Sequence, residues 1–458
     1  MMTRFFWAGV LAAMGAGAEP QHFVLHAPHN VWDVAVHDFN ENGTQDVLVL
    51  SCDEQRYPLP KQLGLHESSR SGKYKQKPSH TIDMDPDSGI VFLAEVDGTP
   101  PKEVVVANAE GAIVYAYTPD GFDEVARPRF VSLLPSGTRE PTIVNQFAQD
   151  LDGDGIDEWL VPVPLGVQIR HAEAVITRIP CDIHSEAGGG NALRISHRVP
   201  APHTFRFAGV PQKGIAFLSD EFADFAYGPE WDQHRRFRIP VNLEEKWEAS
   251  AKMADINGDN WPDLLVTQTR GTVNLEVLTQ VYVAAAPFAY PEKPSATFTA
   301  QGSIANGMLR DVNGDGLLDM IYIQVPFGLG NIVNFVVRGK VRVDADVYLY
   351  DGLQFPETPN YTASLTIEAP EGREQVAHAM ADFTGDGRLD LAIATDRDTL
   401  TFHLGKEDRF LDRKSAFDVS LPSFGNARTV KLDNNDKSDL LIFRPDGKHS
   451  TRVEVLVF

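Results

Sequence analysis

The chain has 458 residues, 43% of them hydrophobic and 23% charged, with 36 glycines and 30 prolines; this is ample apolar material for a core, interrupted too often for a coiled coil or a disordered chain. With 64 acidic against 41 basic side chains the formal net charge is -23, which argues against nucleic acid or an anionic membrane surface as partner, because both would be repelled. The two cysteines, Cys52 and Cys181, cannot build a disulfide framework or a four-cysteine zinc site, and no disulfide between them is expected.

Residues 1–18 carry a basic residue (Arg4), an apolar run over 5–14 and a small-residue end, Ala16 to Ala18, before Glu19. This is the plan of a secretory signal peptide. The run is well short of the ~20 apolar residues that span a bilayer, and no later stretch of ~18 follows, so membrane insertion is not expected. A mature chain of residues 19–458, a single domain, is expected to be exported to the periplasm, the cell surface or the medium.

One nine-residue pattern then recurs along the chain, with oxygen-bearing side chains at positions 1, 3, 5 and 9. The copies are Asp38, Asn40, Asn42 and Asp46; Asp150, Asp152, Asp154 and Glu158; Asp255, Asn257, Asp259 and Asp263; Asp311, Asn313, Asp315 and Asp319; and Asp382, Thr384, Asp386 and Asp390. Calcium takes six to eight oxygen ligands from carboxylates, amides and carbonyls at about 2.3–2.6 Å. In a tight loop, positions 1, 3 and 5 converge on one point and glycine at position 4 or 6 permits the left-handed turn. The carbonyl of position 7 points inward and the acid at position 9 closes the cage. A metal-free Asx turn is the alternative, but ordinary turns do not need an acid at both ends.

An EF-hand places its last acid at position 12 and is flanked by helices. Here the runs beginning at Asp46, Asp263, Asp319 and Asp390 are short, apolar and β-rich, which predicts strands. The loops and their flanks resemble the FG-GAP/VCBS repeat family, the calcium-loop β-propellers that include the integrin α-chain head and many bacterial exported proteins. The resemblance covers nearly the whole mature chain. It implies an all-β propeller of four-stranded blades, each metal loop joining the innermost strand to the second, with about five structural Ca²⁺ sites.

Two further copies depart from the pattern. Lys431, Asp433, Asn435 and Asp439 put an ammonium at position 1, where it is expected to replace the metal. Glu95, Asp97, Thr99 and Glu103 keep oxygens throughout but include Pro100 and Lys102, a stiff turn and a competing charge.

The first positions, at 38, 95, 150, 255, 311, 382 and 431, are 49–57 residues apart except for a step of 71 between 311 and 382 and one double-length step of 105 between 150 and 255. That gap predicts a unit without a metal loop, with strands at 204–207, 214–218, 222–227 and 236–240. Eight blades follow, with seven plus a long insertion as the alternative. The chain ends after only three strands of the last blade, so residues 23–26 are expected to supply its fourth and close the ring.

In a four-stranded meander the metal loops share one face. Insertions at 51–77, from 162 onward and at 326–342 are expected on the other, which in integrin-like propellers is the ligand-binding one. The first insertion is locally basic (Arg56, Lys61, Arg70, Lys73, Lys75 and Lys77) with Tyr57 and His66 interleaved. Trp32, Arg139, Trp247 and Arg373 lie before or at the start of innermost strands and either ring the channel mouth or plug it as core. Aromatics beside arginine suit sugar or peptide recognition. The catalytic motifs of serine hydrolases, zinc proteases and nucleotide-binding enzymes are absent from the sequence. The expected function is therefore a non-catalytic, calcium-binding scaffold for a protein or polysaccharide. The alternatives are a calcium-dependent polysaccharide lyase or hydrolase, and a subunit of a surface assembly.

Overall fold

Runs of aliphatic and β-branched residues bounded by Gly, Asp and Asn turns fold as strands along the entire chain. A computed structural model describes residues 19–188, 194–207, 210–219, 221–241, 247–271, 275–301, 303–326, 338–369 and 375–458. Its strands form the eight blades of a propeller, each a four-stranded antiparallel meander, to which blade 2 adds a fifth, short strand, Thr142–Ile143, parallel to Ile90–Ala94. Blade 1 comprises Asn30–His37, Asp46–Cys52, Lys61–His66 and His80–Met84; blade 2, Ile90–Ala94, Glu103–Asn108, Gly111–Thr118 and Gly121–Ala126; blade 3, Ala148–Gln149, Glu158–Val163, Gly166–Arg170 and Val175–Pro180. Blade 4 comprises Pro202–Arg206, Lys213–Leu218, Phe222–Tyr227 and Gln233–Arg238; blade 5, Glu248–Ala254, Asp263–Arg270, Glu276–Tyr282 and Ala296–Gln301; blade 6, Ser303–Arg310, Asp319–Pro326, Lys340–Tyr348 and Tyr361–Glu368. Blade 7 comprises His378–Ala381, Asp390–Asp396, Thr399–His403 and Phe417–Ser420, and blade 8 comprises Asn426–Val430, Asp439–Phe443, Arg452–Val457 and the N-terminal Gln21–His26.

Eight blades, not seven, are therefore present, and the unit without an acidic loop is blade 4. The stabilising core is not one cluster but eight, each lying between two adjacent blades. Second strands supply both neighbours by alternation: Leu48 and Leu50 face blade 2, whereas Val47 and Val49 face blade 8. Being covered on both sides, Asp46–Cys52 is buried at every residue and reads as a continuous apolar run. The outer strand His80–Met84 alternates between covered and exposed positions, as expected for one wetted side.

Ring closure follows the expected plan, extended by two residues. Gln21–His26 pairs antiparallel with Arg452–Val457, from Gln21 opposite Val457 to His26 opposite Arg452. Leu25 is 1% exposed, and the His22 imidazole meets the buried Glu454 carboxylate at 2.8 Å. Inside the ring, the carboxylate of Asp33 in blade 1 accepts from the Ile143 and Thr142 groups beside blade 2, at 2.8 and 3.0 Å. It also pairs with Arg428 of blade 8 at 2.8 Å.

Two insertions differ from expectation. Residues 51–77 are not one excursion, because the third strand of blade 1, Lys61–His66, runs through them. Their basic residues thus divide between opposite faces, and Lys61 is buried with its ammonium donating to the Pro86 and Ser88 carbonyls. The insertion after 162 follows the fourth strand of blade 3, not the second, and forms the hairpin His184–Gly188 with Arg194–Arg198. Most of 326–342, together with Arg373 and residues 1–18, lies outside the described residues. Cys52 and Cys181 are buried and unpaired. Among the described residues no helix is long and apolar enough to cross a membrane.

Candidate metal loops and ligand pocket

Every acidic loop connects the first strand of a blade to the second, so all seven share one face. The position 9 acids are fully buried in the five complete loops, and their second carboxylate oxygen accepts the N–H of position 2. The distances are 3.0 Å from Phe39 to Asp46, 2.7 Å from Leu151 to Glu158, 2.9 Å from Ile256 to Asp263, and 3.0 Å both from Val312 to Asp319 and from Phe383 to Asp390. In the aspartate copies the other oxygen accepts an N–H just beyond the third strand: Ser68, Ala284, Tyr350 or Gly405, at 2.7–2.8 Å. The closing acid is thus also a latch between two turns of its own blade, a role that the spacing alone does not reveal. Burial pushes Asp46, Asp319 and Asp390 up to about 6 and Asp263 up to about 7. These carboxylates ionise at neutral pH against a desolvation penalty that a bound cation would offset.

Positions 1, 3 and 5 lie at the surface in nested turns. In blade 6, Asp311 accepts from the Gly314 and Gly316 amides, Asn313 from Asp315 and Asp315 from Leu317. Each such oxygen retains a second lone pair. Ligand oxygens of Asp150, Asp152 and Glu158 lie within 4.8 Å of one another, as do those of Glu95, Asp97 and Glu103. In the first loop Asn40 Oδ1 is buried without a hydrogen-bond partner among the described residues.

The two departing copies place their lysines differently. Lys431 Nζ donates to the carbonyls of Asp436 and Lys437, at 2.6 and 2.8 Å; Lys437 is position 7, whose carbonyl is the expected backbone ligand. The ammonium thus occupies the carbonyl side of its own loop. Lys102, expected to compete within its own loop, reaches Asp157 in blade 3 at 2.6 Å, which leaves Glu95, Asp97 and Glu103 facing one another. All of these donors are hard oxygens, and four side chains plus one carbonyl per loop fit the chemistry of calcium.

Backbone hydrogen bonds join the loops into a closed belt. The position 8 amide typically donates to position 1 or 2 of the preceding blade: Gln45 to Leu432, Asp157 to Glu95, Leu318 to Ile256, Leu389 to Val312 and Ser438 to Asp382, at 2.7–3.2 Å. In blade 2 the acceptor is His37 Nε2, 3.0 Å from the Lys102 amide. Blade 4, without a loop, uses Lys213, whose backbone N–H and ammonium take the carbonyls of Leu151 and Asp150 at 2.8 and 2.7 Å. Blade 5 has Pro262 at position 8 and instead receives the Arg206 amide at Asn260. Gly314 has φ +81, and a Cβ there would lie 2.4 Å from the Gly387 carbonyl of blade 7, so only glycine fits this joint.

On the opposite face, a cavity of about 670 Å³ opens where blades 7, 8 and 1 meet the channel. Trp32 lines it from the first strand of blade 1, and the turn 444–449 of blade 8 contributes Arg444, Lys448 and His449. Glu54 and Glu140 add carboxylates. Of the other expected ligand residues, Arg139 is exposed next to Glu140, and Tyr57 is 93% exposed in the same loop as Glu54. Trp247 is half-buried on blade 5 under the Arg270 guanidinium, 4.6 Å from its ring, so Trp32 and Trp247 do not form one site. Residues 444–449 were missed because their only sequence signal is a Pro-Asp-Gly turn.

No family model matches the chain, and no curated protein matches it. Among solved structures it is similar to BBS1N, as seen in crystals of its complex with ARL6DN soaked with lead or with mercury. Each likeness has 8% identity and a TM-score of 0.38, covering 81% of this chain and 94% of that one. A likeness of this size supports no functional argument.

Proposed function

We propose that the chain is an exported, calcium-stabilised propeller that acts as a non-catalytic scaffold, with metal loops holding one face of the ring and the opposite face binding a protein or polysaccharide. The observation that carries this reading is the division of chemistry between the faces: acidic loops and their belt on one, a mixed polar and aromatic cavity on the other. The resemblance to FG-GAP/VCBS repeats and the signal-like residues 1–18 support calcium and export.

The metal role is structural. An ion present near its Kd adds about 0.4 kcal/mol per site, roughly 2 kcal/mol over five, a fair fraction of ordinary domain stability. The test is to capture glycans and surface proteins on the purified chain with calcium and with EDTA. Calcium-dependent capture supports the reading, and a chain that captures neither class removes it. Glu54, Glu140 and His449 at one cavity are residue types that polysaccharide cleavage also uses. Turnover of a bound polysaccharide would establish that second reading.

A further inference from the structure

The cavity between blades 7, 8 and 1 carries more than its shape. Trp32 and His449 both line it, and Trp32 Nε1 and His449 Nδ1 are buried without a hydrogen-bond partner among the described residues. A buried unpaired polar atom costs about 1–3 kcal/mol, and here two occur in one pocket. Trp32 also stands at a bulge, where the pairing of the first and second strands shifts between Val31 and Asp33; such irregularities re-aim side chains beside functional sites. Among the described residues no ring or cation stacks on its indole. By contrast Trp159 packs on Phe92, Trp261 stacks on Phe225 and Trp247 lies under Arg270.

The rim offers acceptors at Glu54 and Glu140 and a donor at Lys448. Burial, followed by the charges of Arg452, Arg444 and Lys448, lowers the proton affinity of His449. A neutral imidazole adds one donor and one acceptor. Hydroxyl groups, which both donate and accept, suit such a rim. A polyanion does not, since acids and bases are interspersed there and the whole chain carries -23, which repels it. The volume of about 670 Å³ is within the ~300–1,000 Å³ of small-ligand pockets.

We infer that this cavity binds the terminal units of a neutral saccharide, with a sugar face on Trp32 and hydroxyls shared between Trp32 Nε1, His449 and the charged rim. The inference rests on the scaffold reading and names its ligand class. It is tested by saturation-transfer NMR on the calcium-loaded mature chain. The probes are neutral gluco-, manno-, galacto- and N-acetylglucosamine oligosaccharides, oligogalacturonate as the acidic arm, and a phage-displayed random peptide library as the protein arm.

The expected result is binding of at least one neutral saccharide, weakened at least tenfold in Trp32→Ala, partly retained in Trp32→Phe and weakened several-fold in His449→Ala. Leu353→Ser, at a residue 87% exposed on the metal face, leaves it unchanged. Unaltered melting temperatures show that the variants are folded. Saccharide binding that survives Trp32→Ala overturns the pocket while leaving the scaffold reading standing. Binding of only oligogalacturonate or only peptides overturns the saccharide class. Failure to bind any probe or any captured protein overturns both.

Discussion

Removing the N-terminal strand should open the ring. The register of Gln21–His26 on Arg452–Val457 covers six residue pairs, and Leu25 packs with Val453, Val455 and Val457 in the core between blades 8 and 1. Leu25→Ala should cost about 3 kcal/mol, within the 2–5 kcal/mol range for emptying such a site. At about 2.1 cal/mol/K per residue, a chain of this length has an unfolding entropy near 0.9 kcal/mol/K, so the loss corresponds to a melting temperature lower by roughly 3 °C.

Deleting residues 19–28 should lose at least twice as much, because half-buried Phe23 leaves with Leu25 and the newly wetted valines forfeit about 25 cal/mol per Å². It also exposes a free strand edge, which invites pairing between molecules. Thermal melts of the two variants at one calcium concentration provide the assay, and a synthetic peptide of residues 19–28 added in trans should restore part of the loss. An unchanged melt on deletion would refute the closure of blade 8 by the N-terminus.

Three further outcomes follow from the face that carries the acidic loops. Lys431→Ala should destabilise the chain equally with calcium or EDTA, since the ammonium needs no ion, whereas Lys431→Asp should bind one additional calcium by mass spectrometry. Gly314→Ala should lower stability by more than the usual 0.5–1 kcal/mol of a benign glycine change, and shift every metal loop's calcium titration if the belt couples them. The third concerns pH. The folded state raises Asp46, Asp319 and Asp390 to about 6 and Asp263 to about 7, so their contribution is fully present below the unfolded value near 4 and is lost as pH rises through 6–7. Burial lowers His66 to about 4, so its contribution is present above 6.5 and is lost as pH falls through 4, on the order of 3 kcal/mol. Four acids outweigh one histidine. Metal-free protein should therefore melt higher at pH 5 than at pH 7.5, and calcium-loaded protein lower; identical profiles would contradict the buried-carboxylate argument.

Much of this was legible in the sequence because the acidic loops mark their own places. Asp311 and Asp319 fix where one strand ends and the next begins, and the double-length gap before Asp255 exposed blade 4 by arithmetic alone. Lys431 stands out in the sequence as a positive charge at position 1 of an otherwise acidic pattern. Other features needed the third dimension. Lys61 looked like a surface charge in a basic loop, yet a buried strand carries it, because its neighbours Leu63 and Leu65 alternate inward. The second function of the position 9 acids depends on amides 15–31 residues farther on, which no local pattern encodes. The pocket draws Trp32, Glu140 and His449 from distant parts of the chain, and only ring closure makes them neighbours.

The acidity also changes meaning. Fifteen acidic side chains sit at ligand positions of the five complete loops, and five divalent ions would reduce the charge from -23 to about -13. Most direct for the account as a whole is a count of bound calcium on the purified mature chain by native mass spectrometry, paired with a melt before and after EDTA. The expected result is about five ions, released by chelation together with a clear fall in melting temperature. A chain that carries no calcium and melts identically in EDTA would contradict it.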